Sequence, residues 1–469
     1  VGNPYILADP GHVSSAVSDT VLANQTLYIP ITEEISGLKS IELKVRFNNG
    51  ADYATPLADP SLEISKSGLV LERGTHYTID SNKTIVFATP SSIEGNVTIK
   101  GLKLSDSLAE GTYDINVIVK DAAAADGRHE SSAAQSAVIS IDSVAPVINQ
   151  IYVPDLKATQ RFGGSTTEYW QGSQSTTDVY VTFTEKSSGA KVFDFAGSTV
   201  QLTGSSAIYK YDPSTGALTQ VPATVNSLTN LEVNTANAAK DYFAGTGQII
   251  AKITNVQLAT EGTASTIKLL IRDAARNESA EFSTISSNEG SLNLANPGLP
   301  VISSFKYDSG APAASSFIMK DCQASKDTAN HFVQAEAEFT NESSVNANIS
   351  LDLDEAISGI LSLTISGDAT FTSSTEIYTD ATYPDLPLAD TYLSDASKID
   401  TDGNYLKSGG TPVLFDISAD GKTASFKTAG GGHLVLESAA LAIKNLALTS
   451  GDGLKSVTIK PRTICGLEA

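Results

Sequence analysis

The sequence predicts an all-β protein built from several domains in a row, and three observations support this. The chain has 469 residues, which is too long for one ordinary hydrophobic core and suits two to four domains. Only 18% of the residues are charged, and long stretches alternate apolar with small polar residues, as strands do. One strand-and-turn motif also occurs three times at domain-sized intervals.

The repeated motif is an alternating strand that ends in a glutamate and is followed by a Ser-Gly pair. Its copies occupy residues 26–38, 178–190 and 348–360. Their glutamates are Glu33, Glu185 and Glu355, and their pairs are Ser36-Gly37, Ser188-Gly189 and Ser358-Gly359. The alternation places the apolar residues on one face of a sheet. Glycine adopts positive φ without strain, so each pair predicts a tight turn, and each copy marks one domain.

These copies divide the chain into an N-terminal extension, residues 1–20, and three domains, residues 21–145, 146–297 and 298–469. Prolines near both boundaries end strand pairing, in Asp142-Ser-Val-Ala-Pro146 and around Pro297 and Pro300. We expect the extension either to pair as an edge strand of the first domain or to reach into a neighbouring subunit. One short helical stretch is expected within residues 234–243.

The third domain differs from the others in two ways. It is longer between its Ser-Gly turn and its closing strand, and we expect the extra length in residues 378–410. It also has Pro461 where the repeated frame suggests that the other domains have Asp121 and Asp273.

Charge and composition exclude several classes of function. A net charge of −22 leaves no basic face for nucleic acid or an anionic membrane, but it suits divalent cations. No apolar run is long enough for a membrane-spanning helix. The chain starts at Val1 without a leader and has two cysteines and one methionine. We therefore expect a processed or partial chain that works outside the cell, at the cell surface.

The sequence offers little for catalysis. Its five histidines are isolated, and it lacks a His-Glu-x-x-His pair, a Gly-x-Ser-x-Gly elbow and a phosphate-binding glycine loop. A glycosidase needs only two carboxylates, which the 53 acidic residues could supply. The repeated frame leaves no room for a catalytic domain of usual size, so we expect that the protein is not an enzyme.

Several of these segments resemble bacterial immunoglobulin-like repeats of cell-surface proteins, of the S-layer, adhesin or filament type. The segments are Val-Thr-Phe-Thr-Glu-Lys-Ser-Ser-Gly at residues 181–189, Arg272-Asp-Ala-Ala-Arg-Asn277, and the Asp142–Pro146 linker given above. The resemblance implies tandem Ig-like β-sandwich domains and an extracellular setting. The first domain also looks somewhat like a cohesin-type sandwich, in residues 27–31, 40–47 and 111–117.

Calcium is the expected cofactor, with two candidate sites. The acidic insertion of the third domain concentrates carboxylates, and Asp395, Asp400, Asp402 and Asn404 are its candidate ligands. The alternative for this segment is a solvated acidic loop. The second candidate lies at a domain junction, where Glu185 or Glu33 could meet Asp273, Asn277, Asp121 or Asp142. A metal there would stiffen the linker, and the alternative is a glutamate that only caps a turn.

Two further features are candidates for contacts. Tyr169 and Trp170 lie in a loop rich in Gly, Ser and Thr, where they could stack on a sugar or a neighbouring subunit, or simply pack. Cys322 and Cys465 lie near the two ends of the third domain, so they form either one disulfide or two buried thiols.

We therefore expect an extracellular structural protein that assembles with other copies of itself into a surface layer or filament, stabilised by calcium. One alternative is an adhesin that binds a glycan, a protein or a cell-surface polymer. The other alternative is an accessory region of a secreted hydrolase.

Overall fold

The computed structural model describes residues 5–7, 26–58, 62–104, 111–123, 135–290, 292–295, 301–321, 324–326, 332–334, 346–379, 411–451 and 455–469. These residues form 33 strands and one helix, in three sandwiches along the chain. The predicted all-β fold of tandem sandwiches is therefore confirmed. Within the described residues no helix is long and apolar enough to cross a membrane.

The first domain is built around two long strands. Its strands are β1 (Tyr5–Leu7), β2 (Thr26–Phe47), β3 (Glu63–Lys66), β4 (Leu69–Leu71), β5 (Tyr77–Ile79), β6 (Thr84–Lys100), β7 (Gly111–Asp121) and β8 (Gln135–Ile141). The hydrogen-bonded order is β4-β3-β6-β2-β7-β8, and β1 and β5 pair with β2 and β6. Both halves of β2 contribute to one apolar core, with Leu27 and Ile29 before the Ser-Gly turn and Ile41 and Leu43 after it.

The N-terminal extension pairs with the first domain of its own chain, which is one of the two arrangements expected from the sequence. Tyr5 lies opposite Tyr28 in an antiparallel pair of β1 and β2.

The second domain is a sandwich of two sheets. Its elements are β9 (Val147–Tyr152), β10 (Lys157–Arg161), β11 (Thr167–Trp170), β12 (Thr176–Thr184), β13 (Ala190–Asp194), β14 (Ala207–Tyr211), β15 (Leu218–Gln220), β16 (Ala223–Val225), β17 (Asn230–Val233), α1 (Ala236–Phe243), β18 (Gln248–Gln257), β19 (Leu270–Asp273) and β20 (Ile285–Ser286). The sheets have the orders β15-β14-β18-β12-β9-β20 and β16-β17-β13-β19. The alternating residues of β12, Val179, Val181 and Phe183, are fully buried between them.

The third domain repeats this arrangement. Its strands are β21 (Ala313–Asp321), β22 (Ala324–Lys326), β23 (Phe332–Gln334), β24 (Asn346–Asp354), β25 (Ile360–Gly367), β26 (Ala369–Thr370), β27 (Glu376–Thr379), β28 (Thr411–Pro412), β29 (Phe415–Ile417), β30 (Thr423–Phe426), β31 (His433–Val435), β32 (Ala439–Leu448) and β33 (Val457–Thr463). The central orders β21-β24-β32-β27 and β30-β25-β33 correspond to β9-β12-β18-β14 and β17-β13-β19 of the second domain.

Two expectations from the sequence need correction. The second domain does not end at residue 297, because Ile302 and Phe305 lie in its core and pair with Ile285 and Ser265. The equivalent of Asp273 in the third domain is Thr463 rather than Pro461. Asp273 pairs with Ala190, the residue after its Ser-Gly turn, and Thr463 pairs with Ile360 in the same position.

The short helix α1 confirms the helical stretch expected within residues 234–243. The hydroxyl of Thr235 caps it by accepting from the backbone N–H of Ala238 at 3.1 Å. Its Phe243 ring packs against Phe183 and Phe193 of the sandwich core. The helix therefore covers the end of the sandwich that carries the Ser-Gly turn.

Gly189 has no room for a side chain at this contact. Its φ is +82°, and a Cβ there would lie 2.1 Å from the carbonyl oxygen of Ala239 in α1. We expect Gly189→Ala to destabilise the second domain by at least about 2 kcal/mol, through positive-φ strain and displacement of the helix. Chemical denaturation measures this.

Gly216→Ala is the matched control for that substitution. Gly216 has a similar φ of +72° with no atom within 4 Å of the added Cβ. A loss of stability no larger for Gly189→Ala than for Gly216→Ala would contradict the close approach.

Candidate metal centre at the junction of the first two domains

The glutamate of each motif accepts hydrogen bonds from its own turn. Glu185 Oε1 accepts from the backbone N–H groups of Ser187, Ser188 and Gly189, at 2.9, 3.2 and 3.3 Å. The Glu33 carboxylate accepts from all three corresponding N–H groups, and the Glu355 carboxylate accepts from those of Ile357 and Ser358. One carboxylate oxygen therefore satisfies the backbone donors of a turn that has no strand partner there. We call the end of each sandwich with this turn its leading end, and the opposite end its trailing end.

The turn after β19 brings two more polar side chains to the leading end of the second domain. Asp273 ends β19, and Asn277 lies four residues further on. The backbone N–H of Asn277 donates to Asp273 Oδ1 at 2.8 Å, and its Nδ2 donates to Asp273 Oδ2, also at 2.8 Å. These two bonds orient the amide of Asn277 beside the carboxylate of Asp273.

The linker from the first domain supplies the third carboxylate. Asp142 follows β8, and its Oδ2 accepts from the N–H of Ser188 at 2.9 Å. Its backbone carbonyl accepts from Asn277 Nδ2 at 3.1 Å. These hydrogen bonds therefore hold Asp142, at the end of the first domain, against two turns of the second domain.

The three carboxylates form a compact buried cluster, which we call the junction cluster together with Asn277. One oxygen from each of Asp142, Glu185 and Asp273 lies within 4.8 Å of the others. Glu185 is 3% exposed and Asn277 is 1% exposed. In the part of the chain that the structure describes, Glu185 Oε2 and Asn277 Oδ1 are buried without a hydrogen-bond partner. None of the three carboxylates forms a salt bridge with a described residue.

Burial and mutual repulsion disfavour the charged carboxylates. Burial raises the pKa of Glu185 to about 7, and the charges of Asp142 and Asp273 add to the rise although the turn N–H groups oppose it. Burial likewise raises the pKa of Asp273 to about 6, against the hydrogen bonds that Asn277 donates. The cluster therefore has more negative charge near neutral pH than its surroundings compensate.

These donors fit a calcium ion. Calcium binds six to eight oxygens at 2.3–2.6 Å, so two oxygens on opposite sides of one ion lie at most about 5 Å apart. The three carboxylate oxygens are therefore close enough to one another to contact the same ion. The residues that would hold the ion are Asp142, Glu185, Asp273 and, through its unpartnered Oδ1, Asn277.

The structure brings together four of the residues predicted to meet at this junction, Glu185, Asp273, Asn277 and Asp142. Glu33 and Asp121 lie at the leading end of the first domain and are not part of the cluster. The other candidate ligands, Asp395, Asp400, Asp402 and Asn404, lie outside the described residues, so that site stays a prediction.

The junction of the second and third domains is built differently. β10 of the second domain pairs with β11 and also, in parallel, with β31 of the third domain. The backbone N–H of Phe162 donates to the carbonyl of Val435 at 2.9 Å across the same boundary. Arg161 contacts both domains, since it pairs with Glu168 and Glu437 and donates to the carbonyl of Ile357.

Trp170 and Tyr169 are packing residues, which corrects their interpretation as an exposed ligand or subunit contact. Trp170 is 1% exposed and packs with Val435, Ile464 and Cys465 at this junction. Its ring also lies under the ammonium of Lys306, 5.5 Å from the ring centroid. Tyr169 is half-buried against the core of the second domain.

Of the two cysteines, only Cys465 lies within the described residues, so the choice between a disulfide and two buried thiols stays a prediction. Cys465 is a buried free thiol in the cluster around Trp170, and Cys322 lies outside the described residues. Burial raises the pKa of the Cys465 thiol to about 12, so this thiol stays protonated and packs as an apolar group.

The junction of the second and third domains also contains two buried acids. However, two of the four residues in the junction cluster have no counterpart there. Asp308 and Glu355 are buried in the positions of Asp142 and Glu185. Thr463 stands in place of Asp273, and Leu467 in place of Asn277, since the N–H of Leu467 donates to Thr463 Oγ1 as Asn277 does to Asp273. The junction therefore lacks the donor set of a calcium site.

Sequence reasoning missed Asp308, although a signal was present. The linker Asp142-Ser-Val-Ala-Pro146 recurs as Asp308-Ser-Gly-Ala-Pro312, with four of five residues identical. The boundary expected around Pro297 and Pro300 was therefore placed too early.

No protein-family model and no curated protein sequence matches the chain. Among solved structures, the C-terminal domain of the Streptococcus agalactiae AgI/II polypeptide BspA is 10% identical, with a TM-score of 0.25, over 68% of this chain and 97% of that chain. The C-terminal domain of the Streptococcus pyogenes antigen I/II-family protein AspA is 8% identical, with a TM-score of 0.27, over 70% and 98%. RrgB, a pilus protein from Streptococcus pneumoniae, is 11% identical, with a TM-score of 0.20, over 95% and 68%.

At these TM-scores the likeness carries no conclusion about function. The cohesin-like resemblance of the first domain stays a prediction.

We expect Glu185→Gln to stabilise the metal-free protein at pH 8, on the order of 1 to 3 kcal/mol. The amide removes one uncompensated charge and keeps an oxygen for the turn N–H groups. Because the folded pKa of Glu185 is raised, its contribution to stability is present at low pH and is lost as pH rises through about 7. The variant should therefore lose less stability than the wild type between pH 5 and pH 8.

Chemical denaturation in chelator at both pH values measures this difference. A variant that is less stable than the wild type at pH 8 would show that the charge of Glu185 is compensated in the metal-free protein.

Proposed function

We propose that this chain is an extracellular structural protein, a stiff row of three sandwiches that assembles with other copies into a surface layer or filament and is stabilised by calcium. The observation that carries the proposal is that contacts cross both domain junctions, a buried carboxylate cluster at the first and strand pairing at the second. A catalytic role is not part of this proposal.

The junction of the second and third domains supports stiffness without any ligand. Pairing of β10 with β31 makes backbone hydrogen bonds between domains, which a flexible linker would not have. Trp170 adds a large buried side chain to the same boundary. Separation of these domains would expose the indole and break the pairing together.

The junction of the first two domains supports stiffness that depends on calcium. The junction cluster takes one acid from the linker and three side chains from the second domain. A bound cation would compensate the buried charges and join the two domains, whereas the metal-free cluster repels itself. Extracellular modules bind calcium at roughly 0.1 to 1 mM, so a site of this kind suits the outside of a cell.

We expect calcium to raise the thermal unfolding midpoint of the wild type by several degrees, because it binds only the folded junction. Asp142→Asn and Asp273→Asn should each lose most of this increase. Glu281→Gln, which removes a surface acid of the same domain that pairs with Lys268, should keep it.

Calorimetry with calcium or chelator measures the unfolding midpoints, and titration calorimetry of the same proteins measures binding. Equal calcium binding by Asp273→Asn and Glu281→Gln would place the site elsewhere.

We also expect Trp170→Ala to loosen the junction of the second and third domains, at a cost of about 3 to 5 kcal/mol, independently of calcium. Its unfolding should separate into two transitions where the wild type unfolds these domains together. Tyr169→Ala removes a neighbouring side chain that packs within the second domain, so it should lower stability without separating the transitions. Calorimetry in chelator distinguishes them, and a single transition for Trp170→Ala would oppose the role of this junction.

An adhesin is the second candidate, and one concave surface favours it. A groove of about 720 Å³ in the second domain is lined by Asn226, Asn230, Glu232, Arg272 and Arg276, among others. Its polar groups could bind a sugar, but Arg272 already pairs with Asp194 and Glu278. The burial of Trp170 also removes the aromatic stacking surface on which this alternative depended. A secreted-hydrolase accessory region stays the third alternative.

A further inference from the structure

We infer that a proton held between Glu355 of the third domain and Asp308, which the second domain holds, closes the junction of these two domains, so that the junction loosens as the pH rises. The inference goes beyond the proposed function, because it concerns a single chain and requires neither calcium nor assembly.

Asp308 is fixed to the second domain by hydrogen bonds. Its backbone N–H donates to the carbonyl of Gly172 at 3.1 Å. The next two residues, Ser309 and Gly310, donate their backbone N–H groups to Glu261 Oε1 in the loop after β18. The N–H of Gly310 also donates to Asp308 Oδ1 at 2.8 Å. The second domain therefore carries this carboxyl group into the junction on its own loops.

Glu355 reaches the same place from the third domain. Its Oε1 accepts from the backbone N–H groups of Ile357 and Ser358, at 2.9 and 3.3 Å, so its own turn fixes it. Both acids are buried, and Asp308 is 0% exposed. They lie close enough to form a side-chain hydrogen bond with each other. That bond needs one proton, because two ionised carboxylates offer only acceptors.

The basic side chains at this junction have other partners. Arg161 pairs with Glu168 and Glu437, Lys306 pairs with Glu168, and Lys157 donates to the carbonyl of Ile464 at 3.3 Å. Among the described residues, neither Asp308 nor Glu355 forms a salt bridge, and Asp308 Oδ2 is buried without a hydrogen-bond partner. This oxygen is the acceptor that a protonated Glu355 would serve.

Other titratable groups surround the pair. The N–H of Ser309 lowers the pKa of Glu261, so a negative charge stays beside Asp308. Burial raises the pKa of the Cys465 thiol to about 12, so that group stays neutral. His433 contacts Glu289 across the same boundary at 3.2 Å, but both side chains are at least 40% exposed, and exposed pairs contribute little.

Burial raises the pKa of Glu355; the turn N–H groups oppose the rise, and the charge of Asp308 adds to it. Because the folded pKa is raised, the stabilising contribution of this carboxyl group is present at low pH and is lost as the pH rises through the raised value. Once Glu355 ionises, two buried like charges face each other across the boundary. Separation of the domains relieves that repulsion.

Trp170 reports on this junction alone, because it is the single tryptophan of the chain and is buried there. The test measures acrylamide quenching of its fluorescence in the full chain, with chelator, at pH 5 and pH 8.5. We expect the wild type to be quenched at least about twofold more strongly at pH 8.5, since opening of the junction exposes the indole. Equal quenching at both pH values would overturn the inference.

Four variants identify the group responsible. Glu355→Gln should stay protected at both pH values, because the amide keeps an oxygen for the turn and donates to Asp308 without a bound proton. Asp308→Asn should also lose the pH response, which covers the case in which the first variant does not fold. Glu185→Gln, the same substitution at the other junction, and His433→Gln should keep the response. An unchanged response in Glu355→Gln or Asp308→Asn, or its loss in His433→Gln, would assign it to another group.

Calcium separates this inference from the proposed function. The wild type at pH 8.5 should be quenched equally in calcium and in chelator, since a proton rather than a cation compensates these acids. Protection of Trp170 by calcium would overturn the inference and leave calcium-dependent stiffness standing. Failure to bind calcium or to assemble would overturn the proposed function and leave the pH response as expected.

Discussion

The hydrogen bonds from the turn N–H groups to the motif glutamate are the interaction on which the rest of the structure depends. The chain must pass from one sheet of a sandwich to the other, and at the turn its backbone donors have no strand partner. Glu185 supplies one oxygen to three of them. Because one oxygen serves the turn, the other is available to a neighbour, and the end of the sandwich becomes a place where a second domain can be recognised.

Each domain uses this end differently. Around Glu33 it is exposed, and the same hydrogen bonds to the turn lower the pKa of that carboxyl. Around Glu185 it is buried with two other acids, and the pKa is raised. Around Glu355 burial also raises the pKa, but Thr463 stands in place of a third acid there. The three turns therefore share one geometry. The domains differ in how exposed the motif glutamate is and in how many other charged groups lie near it.

The sequence predicted well what depends on local pattern. Alternating apolar residues indicated the strands, and the Ser-Gly pairs indicated the turns, whose glycines have φ near +80° in all three domains. The chain spacing also suggested that Glu185, Asp273 and Asn277 could meet, because a Glu-containing turn and the end of a closing strand lie at the same end of a sandwich.

Contacts between domains were not predictable in this way. The partner of an edge strand is not specified by its own alternation, so nothing in residues 157–161 indicated pairing with β31 of the third domain, some 270 residues away. The same holds for Trp170. Its loop looked exposed because Gly, Ser and Thr surround it, yet Val435 and Ile464 from the next domain cover it. The repeated Asp-Ser-x-Ala-Pro linker was the usable signal in the sequence, because it marks the boundary between one domain and the next.

Both junctions bury carboxylates, and they differ in what offsets the free-energy cost of that burial. Buried carboxylates cost several kcal/mol each unless a cation or proton compensates them. At the first junction the charges are kept, so its stability depends on what the surroundings supply. At the second, an apolar cluster and interdomain strand pairing replace part of the charge, so its stability is carried by the chain alone. Under the calcium proposal, the second junction would hold the last two domains together without a ligand, and only the position of the first domain would respond to the ion.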